Sequence, residues 1–264
     1  MSRSLDTYLL GGADLEMRTI ADLLAREGAE VIDHKLAWGA RLSAYAEDIA
    51  GLAARGRCPV AVELADDLPA EFPGRERLVL IDHHGPRAGQ DQPTALEQVF
   101  ARLGLPAARW SRHFALVAAN DRGHVPAMQA LGASLEEMRA IRAADRAAQG
   151  VSAADEAQAQ AAISARRQHG RLTRIDTPAT GSTAIVDALL PALGGPGFDR
   201  LVVVMPEKLA AYGDGAFIAA LARAVPGSWW GGDLPARGYW GMEGPPPACA
   251  QALALVEDLA QDLT

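Results

Sequence analysis

Short β-prone apolar runs alternate with helix-length segments along the first part of this chain, and that alternation restricts the fold more than any other feature of the sequence. Residues 7–10 form one such run, broken by Gly11-Gly12, and 15–26 then carry apolar residues at helical spacing. A second run starts at Val31-Ile32, an alanine-rich helix is predicted over 42–54, and further strands over 59–64 and 78–81. Strands separated by helices pair in parallel through right-handed crossovers. The expected fold class is α/β.

Between 134 and 168 the chain is almost continuously helix-favouring, and these residues read as helices that close a first domain and lead into a connector. After Gly170 a second pattern begins: a strand over 172–175, a helix over 182–193, a strand over 201–205, a helix over 216–224 and a glycine-rich turn-and-strand region over 231–244. The expected organisation is a parallel-sheet domain over 1–165 and a second, smaller α/β domain over 166–264, with a cleft between them. A chain of 264 residues with 49% hydrophobic content can bury the cores this requires. No fixed-period repeat is visible.

The formal net charge is −8, so broad attraction to a nucleic-acid backbone is not expected, although a local basic groove is compatible with it. A small phosphorylated substrate or a short oligonucleotide suits this balance better than long duplex DNA. The two cysteines, Cys58 and Cys249, lie far apart with neither metal-ligand spacing nor a disulfide framework, which fits a reducing compartment. The N-terminal residues reach Asp6 before any long apolar run, and no apolar stretch approaches the ~20 residues needed to cross a bilayer. The expectation is a cytoplasmic protein that engages no membrane; its oligomeric state is left open, a homodimer included.

Helices covering both faces of a parallel sheet leave only the loops at the carboxyl ends of the strands free to converge, so strand-end polar residues are the ones to inspect. Here the strand ends deliver Asp14 and Glu16, then Asp33 and His34, then Glu63, then Asp82, His83 and His84. The strongest local signal is Leu78-Val79-Leu80-Ile81-Asp82-His83-His84-Gly85: apolar β-formers, an acid, two imidazoles and a glycine. A carboxylate and an imidazole ligate Mn²⁺-type or Zn²⁺ ions, and a second imidazole can hold phosphate or transfer a proton. An isolated His-His pair is more often a loop cap beside an exposed side chain; the strand context and the other strand-end acids reverse that preference.

On these residues the sequence resembles the DHH phosphoesterase superfamily, which includes RecJ-like nucleases, nano-RNases and family II inorganic pyrophosphatases. The resemblance extends over nearly the whole chain. It implies that Asp82-His83-His84 is the catalytic DHH motif, and that Asp14 and Glu16 match the two alternating acids of the opening motif. Glu63 or Asp66 matches the strand-end acid that bridges two metals, and Asp121, in Ala118-Ala119-Asn120-Asp121-Arg122-Gly123, matches a late acid. By the same resemblance His83 ligates metal, His84 contacts phosphate, Asp82 supports the site, and Mn²⁺ is the expected divalent ion. The chain departs from the family where Gly12 stands at a position often taken by His or Asp, and where Glu16 and Glu63 replace aspartates. These departures leave the number of bound metals open. His34 could supply a ligand from another direction, with a surface Asp-His pair as the equally weighted alternative.

The second domain resembles the small C-terminal domain that accompanies DHH catalytic domains and carries a glycine-rich, usually His-containing motif for substrate phosphate or base. Trp229-Trp230-Gly231-Gly232-Asp233-Leu234-Pro235-Ala236-Arg237-Gly238-Tyr239-Trp240-Gly241 stands in the corresponding place without the histidine. There Gly231, Gly232 and Gly238 would let a ligand approach backbone N–H groups, Arg237 would bind phosphate, and a Trp or Tyr ring would stack on a base. The alternative is a structural turn with aromatic packing. Thr177-Pro178-Ala179-Thr180-Gly181-Ser182-Thr183 lacks the lysine and spacing of a P-loop, and Ser182 or Thr183 reads as a helix cap. His124, shortly after Asp121, is placed at the rim of the cleft.

The expected activity is metal-dependent hydrolysis of a phosphodiester or phosphoanhydride in a small nucleotide-like or short oligonucleotide substrate. Two alternatives stay open. One is a catalytically degenerate DHH-fold module that binds a phosphorylated ligand, suggested by Gly12 and the two glutamates. The other is a metal enzyme of non-phosphate chemistry, since function is argued from the site rather than from the fold.

Overall fold

A computed structural model describes residues 5–37, 39–83 and 92–262. The chain divides into two compact units, Met1–Gly150 and Val151–Thr264, and each has its own core.

The first unit is built on a parallel sheet of strands β1 (Asp6–Leu10), β2 (Glu30–Ile32), β3 (Cys58–Val62) and β4 (Val79–Ile81), in the spatial order β2-β1-β3-β4. The order reverses at β1: the chain lays β2 on one side and then crosses to lay β3 on the other. Such a switch point opens a crevice at the carboxyl ends of the two strands, because the loops that follow them depart in opposite directions.

Helices α1 (Leu15–Arg26), α2 (Ala46–Ala54), α3 (Ala95–Arg102), α4 (Arg112–Ala130) and α5 (Leu135–Ala148) complete this unit. Leu9 and Ala61 pack with Ile49 and Leu52 of α2, while Tyr8, Leu10, Val60 and Val62, pointing the other way, are buried as well. Burial on both faces is what a parallel sheet with helical crossovers requires. The helix predicted over 42–54 opens as a 3₁₀ turn, Leu42–Tyr45, before α2 begins. Helix α1 packs against α3, α4 and α5. Thr94 with Glu97 and Ser134 with Glu137 form reciprocal capping boxes that start α3 and α5.

The second unit holds helix α6 (Ala153–Ser164), strands β5 (Arg167–His169) and β6 (Leu172–Asp176), helix α7 (Thr183–Leu189), strands β7 (Arg200–Met205) and β8 (Lys208–Gly213), helix α8 (Gly215–Ala224), strands β9 (Trp229–Asp233) and β10 (Arg237–Glu243), and helix α9 (Pro246–Asp262). Its sheet runs β5-β6-β7-β8-β10-β9 and is mixed, with only β6 and β7 parallel. The helix predicted over 182–193 stops at Leu189, because Pro191 cannot continue it and opens a 3₁₀ turn instead. Ser182 precedes that helix without capping it; its hydroxyl pairs with Tyr212 Oη at 2.8 Å. Helix α6 buries Ala159 and Ala162 in the second unit's core, so the units part before this helix rather than after residue 165. Among the described residues, no helix is long and apolar enough to cross a membrane.

Candidate metal centre

The loops leaving β1, β3 and β4 converge at the switch point. After β1, the chain passes so close to β3 that a Cβ on Gly11 would stand 2.4 Å from the Glu63 carbonyl oxygen and 2.7 Å from that of Val62. Asp14 then caps α1, its Oδ1 accepting from the Met17 N–H at 2.8 Å, and the first turn of α1 carries Glu16 inward to 2% exposure. Glu63, the first residue past β3, sits at φ 51°, an uncommon conformation for a residue with a side chain, and its N–H donates to Ile81 O at 2.8 Å. Past β4, Asp82 is half-buried and His83 buried. Asp121 comes from α4, just before that helix breaks at His124, whose φ is 56°.

Glu16, Glu63, His83 and Asp121 meet there: one potential ligand atom from each lies within 4.8 Å of all the others. His83 Nε2 is 2.7 Å from Asp121 Oδ2, and His83 Nδ1 is 3.4 Å from Glu63 Oε1. Glu16 Oε1 accepts from the Leu96 N–H at 2.9 Å, at the N-terminus of α3. Its Oε2 is buried with no hydrogen-bond partner among the described residues.

Three carboxylates this close repel one another and are poorly hydrated. Burial, followed by the charges of Asp121 and Glu63, pushes the Glu16 pKa well above the usual range. Asp14 is pushed up to about 7 by burial, which outweighs the bond from Met17, with Glu63, Asp121 and Asp145 adding to the rise. Burial by itself favours neutral His83. The Asp121 and Glu63 carboxylates against the ring and the surrounding negative charge overcome that, and carry its pKa up to about 10. One imidazolium only partly offsets three acids.

A divalent cation answers this arrangement. Carboxylates and an imidazole form an oxygen-and-nitrogen donor set suited to Mn²⁺ and related ions. Ligands on opposite sides of an ion at ~2.1 Å stand roughly 4.2 Å apart. The four ligand atoms, all within 4.8 Å of one another, are close enough to share one ion, and the buried Glu16 Oε2 offers an oxygen that nothing else described satisfies.

No family model matches the sequence, and neither does any curated protein. Solved structures do match it. RecJ from Thermus thermophilus in complex with Mn²⁺ aligns with 98% of this chain and 52% of its own, at 14% identity and a TM-score of 0.52. The Mg²⁺ complex of that RecJ aligns with 98% of this chain and 50% of its own, at 13% identity and a TM-score of 0.51. An exopolyphosphatase-related protein from Bacteroides fragilis aligns with 98% of this chain and 94% of its own, at 11% identity and a TM-score of 0.53. The chain spans about half the length of that RecJ.

The chain has a RecJ-like fold.

Asp66 does not join the cluster: both of its oxygens accept from the Arg75 guanidinium, at 3.0 and 2.6 Å. His34 is also outside it, stacked on Tyr45 with ring centroids 4.2 Å apart and with Nε2 3.2 Å from Asp48 Oδ2. The Asp82 carbonyl accepts from Gln98 Nε2 at 3.1 Å, and its side chain is not one of the four clustered groups. His84 lies outside the described residues.

In the second unit, Gly231, Gly232, Arg237 and Gly238 belong to the β9–β10 hairpin, where Gly238 faces Gly232 across the ladder. A Cβ on Gly231 would meet the Tyr239 side chain at 2.7 Å, and one on Gly241 would meet the Trp229 indole at 2.4 Å, so each glycine makes room for a ring across the strands. Tyr239 is 45% and Trp229 40% exposed, and Arg237 is exposed with its guanidinium 4.9 Å from the Phe198 ring centroid.

Sequence reasoning missed the residues that support the cluster. Leu96, whose N–H holds Glu16, left no signal, because the interaction is made by backbone 80 residues away in sequence. Arg142 and Asp145 did leave one: with Met138 and Ile141 they occupy the buried stripe of α5 at helical spacing, where a charged pair is out of place.

Proposed function

We propose that this chain is a divalent-metal-dependent phosphoesterase that hydrolyses a phosphodiester or phosphoanhydride in a small nucleotide-like or short oligonucleotide substrate. The observation that carries the proposal is the Glu16–Glu63–His83–Asp121 cluster at the switch point of a DHH-fold sheet. Those four side chains would hold the ion, which when bound supplies an activated water at neutral pH and offsets negative charge on phosphate. The description of fold neighbours as RecJ with Mn²⁺ or Mg²⁺ and as exopolyphosphatase-related supports this chemistry, with Mn²⁺ proposed as the ion.

The other assignments belong to the same proposal. Asp14, brought up to about 7, holds the first turn of α1 and adds negative charge beside the cluster. Asp82 supports the site and His84 binds phosphate there, while in the second unit Arg237 offers its guanidinium to phosphate. Within the second unit, Gly231, Gly232 and Gly238 shape a hairpin on which Trp229 and Tyr239 offer exposed ring area to a base.

The test is to purify the chain with Mn²⁺, measure bound metal, and assay dinucleotides, short oligonucleotides and pyrophosphate beside an Asp82→Ala, His83→Ala variant. Metal-dependent turnover that the variant loses is the expected result. Binding of a phosphorylated ligand with neither metal nor turnover would replace this reading with a degenerate binding module.

A further inference from the structure

Beside the cluster lies a second charged group, made by two residues of α5. Arg142 and Asp145, on the buried stripe of α5, are 2% and 5% exposed. Arg142 Nη1 donates to Asp145 Oδ2 at 2.6 Å and to Asn120 Oδ1 at 3.0 Å. Asp145 Oδ1 accepts from the Leu15 N–H at 3.2 Å, and its Oδ2 also accepts from Gln149 Nε2 at 3.2 Å.

The partners of this pair give it meaning. Leu15 lies between Asp14 and Glu16, and Asn120 directly precedes Asp121. One buried ion pair therefore grips the backbone beside Glu16 and the side chain beside Asp121, two of the three clustered acids, which come from α1 and α4 and are far apart in the chain. Stability alone is a poor reason for such a pair. The cost of dehydrating both charges is comparable to their attraction, and apolar residues of similar volume commonly serve as well or better. A reason tied to location is needed, and mutual repulsion among the acids supplies one: the pair adds a tie that holds the first turn of α1 and the Asp121 turn of α4 together against that repulsion.

We propose that Arg142 and Asp145 are positioning residues, which hold Glu16 and Asp121 at the separation a divalent cation requires. The proposal rests on reading the cluster as a metal centre. Asp145 fixes the start of α1 by satisfying a helix N-terminal amide from another helix. Arg142 fixes Asn120 and, through it, the direction in which Asp121 enters the cluster. Outer groups of this kind, when removed, weaken metal binding by roughly 10–100-fold.

The experiment separates positioning from simple support. The double variant Arg142→Met, Asp145→Leu replaces the ion pair by apolar side chains in the full chain. It is melted in chelator and titrated with Mn²⁺ by calorimetry, with the electron paramagnetic resonance spectrum of bound Mn²⁺ recorded beside it. Expected are a melting temperature in chelator at or above that of the native chain, Mn²⁺ binding weakened at least tenfold, and an altered Mn²⁺ spectrum. Asp145→Asn, which keeps an acceptor for the Leu15 N–H, should recover part of the affinity. A folded double variant with native Mn²⁺ affinity and spectrum overturns the proposal and leaves the metal centre standing. Native protein that binds no Mn²⁺ overturns both. If the double variant fails to fold, Asn120→Ala decides: several-fold weaker binding supports the proposal, and unchanged binding overturns it.

Discussion

Gly11→Ala probes how the switch point is built. An alanine Cβ at this position would stand 2.4 Å from the Glu63 carbonyl oxygen and 2.7 Å from that of Val62, and both obstacles are backbone rather than the end of a flexible side chain. To reach even 3.0 Å, the shortest separation side chains tolerate, β1 and the end of β3 must part by at least ~0.6 Å. Forcing an extra carbon into a packed site costs about 1–3 kcal/mol. For a protein of this size that lowers Tm by roughly 3–10 °C. The displaced segment carries Glu63, already at φ 51°, so the cluster loses its spacing as well. Mn²⁺ affinity should fall about tenfold or more, as for other losses of ligand support. Thermal melts in chelator and calorimetric Mn²⁺ titration read the two effects. Gly51→Ala in α2 is the control of opposite sign. Its Cβ would meet only Arg55 Nη1, at 3.6 Å, so it should stabilise the protein by about 0.5–1 kcal/mol through helix propensity and leave metal binding alone. A Gly11→Ala protein with native Tm and native Mn²⁺ affinity would refute the reasoning.

Other outcomes follow from the same geometry. Glu16→Gln should abolish tight Mn²⁺ binding yet melt in chelator no lower than the native chain, since it removes one buried charge from a repelling group; a marked loss of chelator stability would contradict this. His34→Ala should leave Mn²⁺ affinity unchanged, because that ring is held against Tyr45 and Asp48, and a tenfold loss in the titration would make His34 a ligand after all. Asp66→Ala should likewise spare metal binding and cost no more than about 1 kcal/mol in urea melts, as expected for a partly exposed ion pair with Arg75. Tyr239→Ala and Trp229→Ala should weaken short-oligonucleotide binding by about 1–3 kcal/mol per stacked base while sparing pyrophosphate; equal losses on both substrates would count against stacking.

Much of the first unit was legible because its signals are local. The β-prone run of 7–10 and the amphipathic 15–26 mark β1 and α1 closely, and the apolar run ending in Asp82-His83 marks β4 and the loop beyond it. Choosing between Glu63 and Asp66 was beyond the sequence, since the two acids are three residues apart on one loop. The folded chain separates them through Arg75, which takes both oxygens of Asp66. Strand order was equally hidden, because it depends on which side of β1 the chain returns to rather than on any residue pattern. In the second unit β8 escaped notice: Lys208–Gly213 holds few β-branched or large apolar residues, and it becomes a strand by pairing with β7 and β10. The α5 pair was visible as charge on an apolar stripe, but nothing local tells a buried ion pair from a surface one.

The most direct test of the central claim is anomalous diffraction at the manganese edge from crystals grown with saturating Mn²⁺. The account predicts a peak bounded by Glu16, Glu63, His83 and Asp121, with Asp66 and His34 remaining on Arg75 and Asp48. No peak at that position, or manganese held elsewhere with these four side chains still paired as described above, would contradict it.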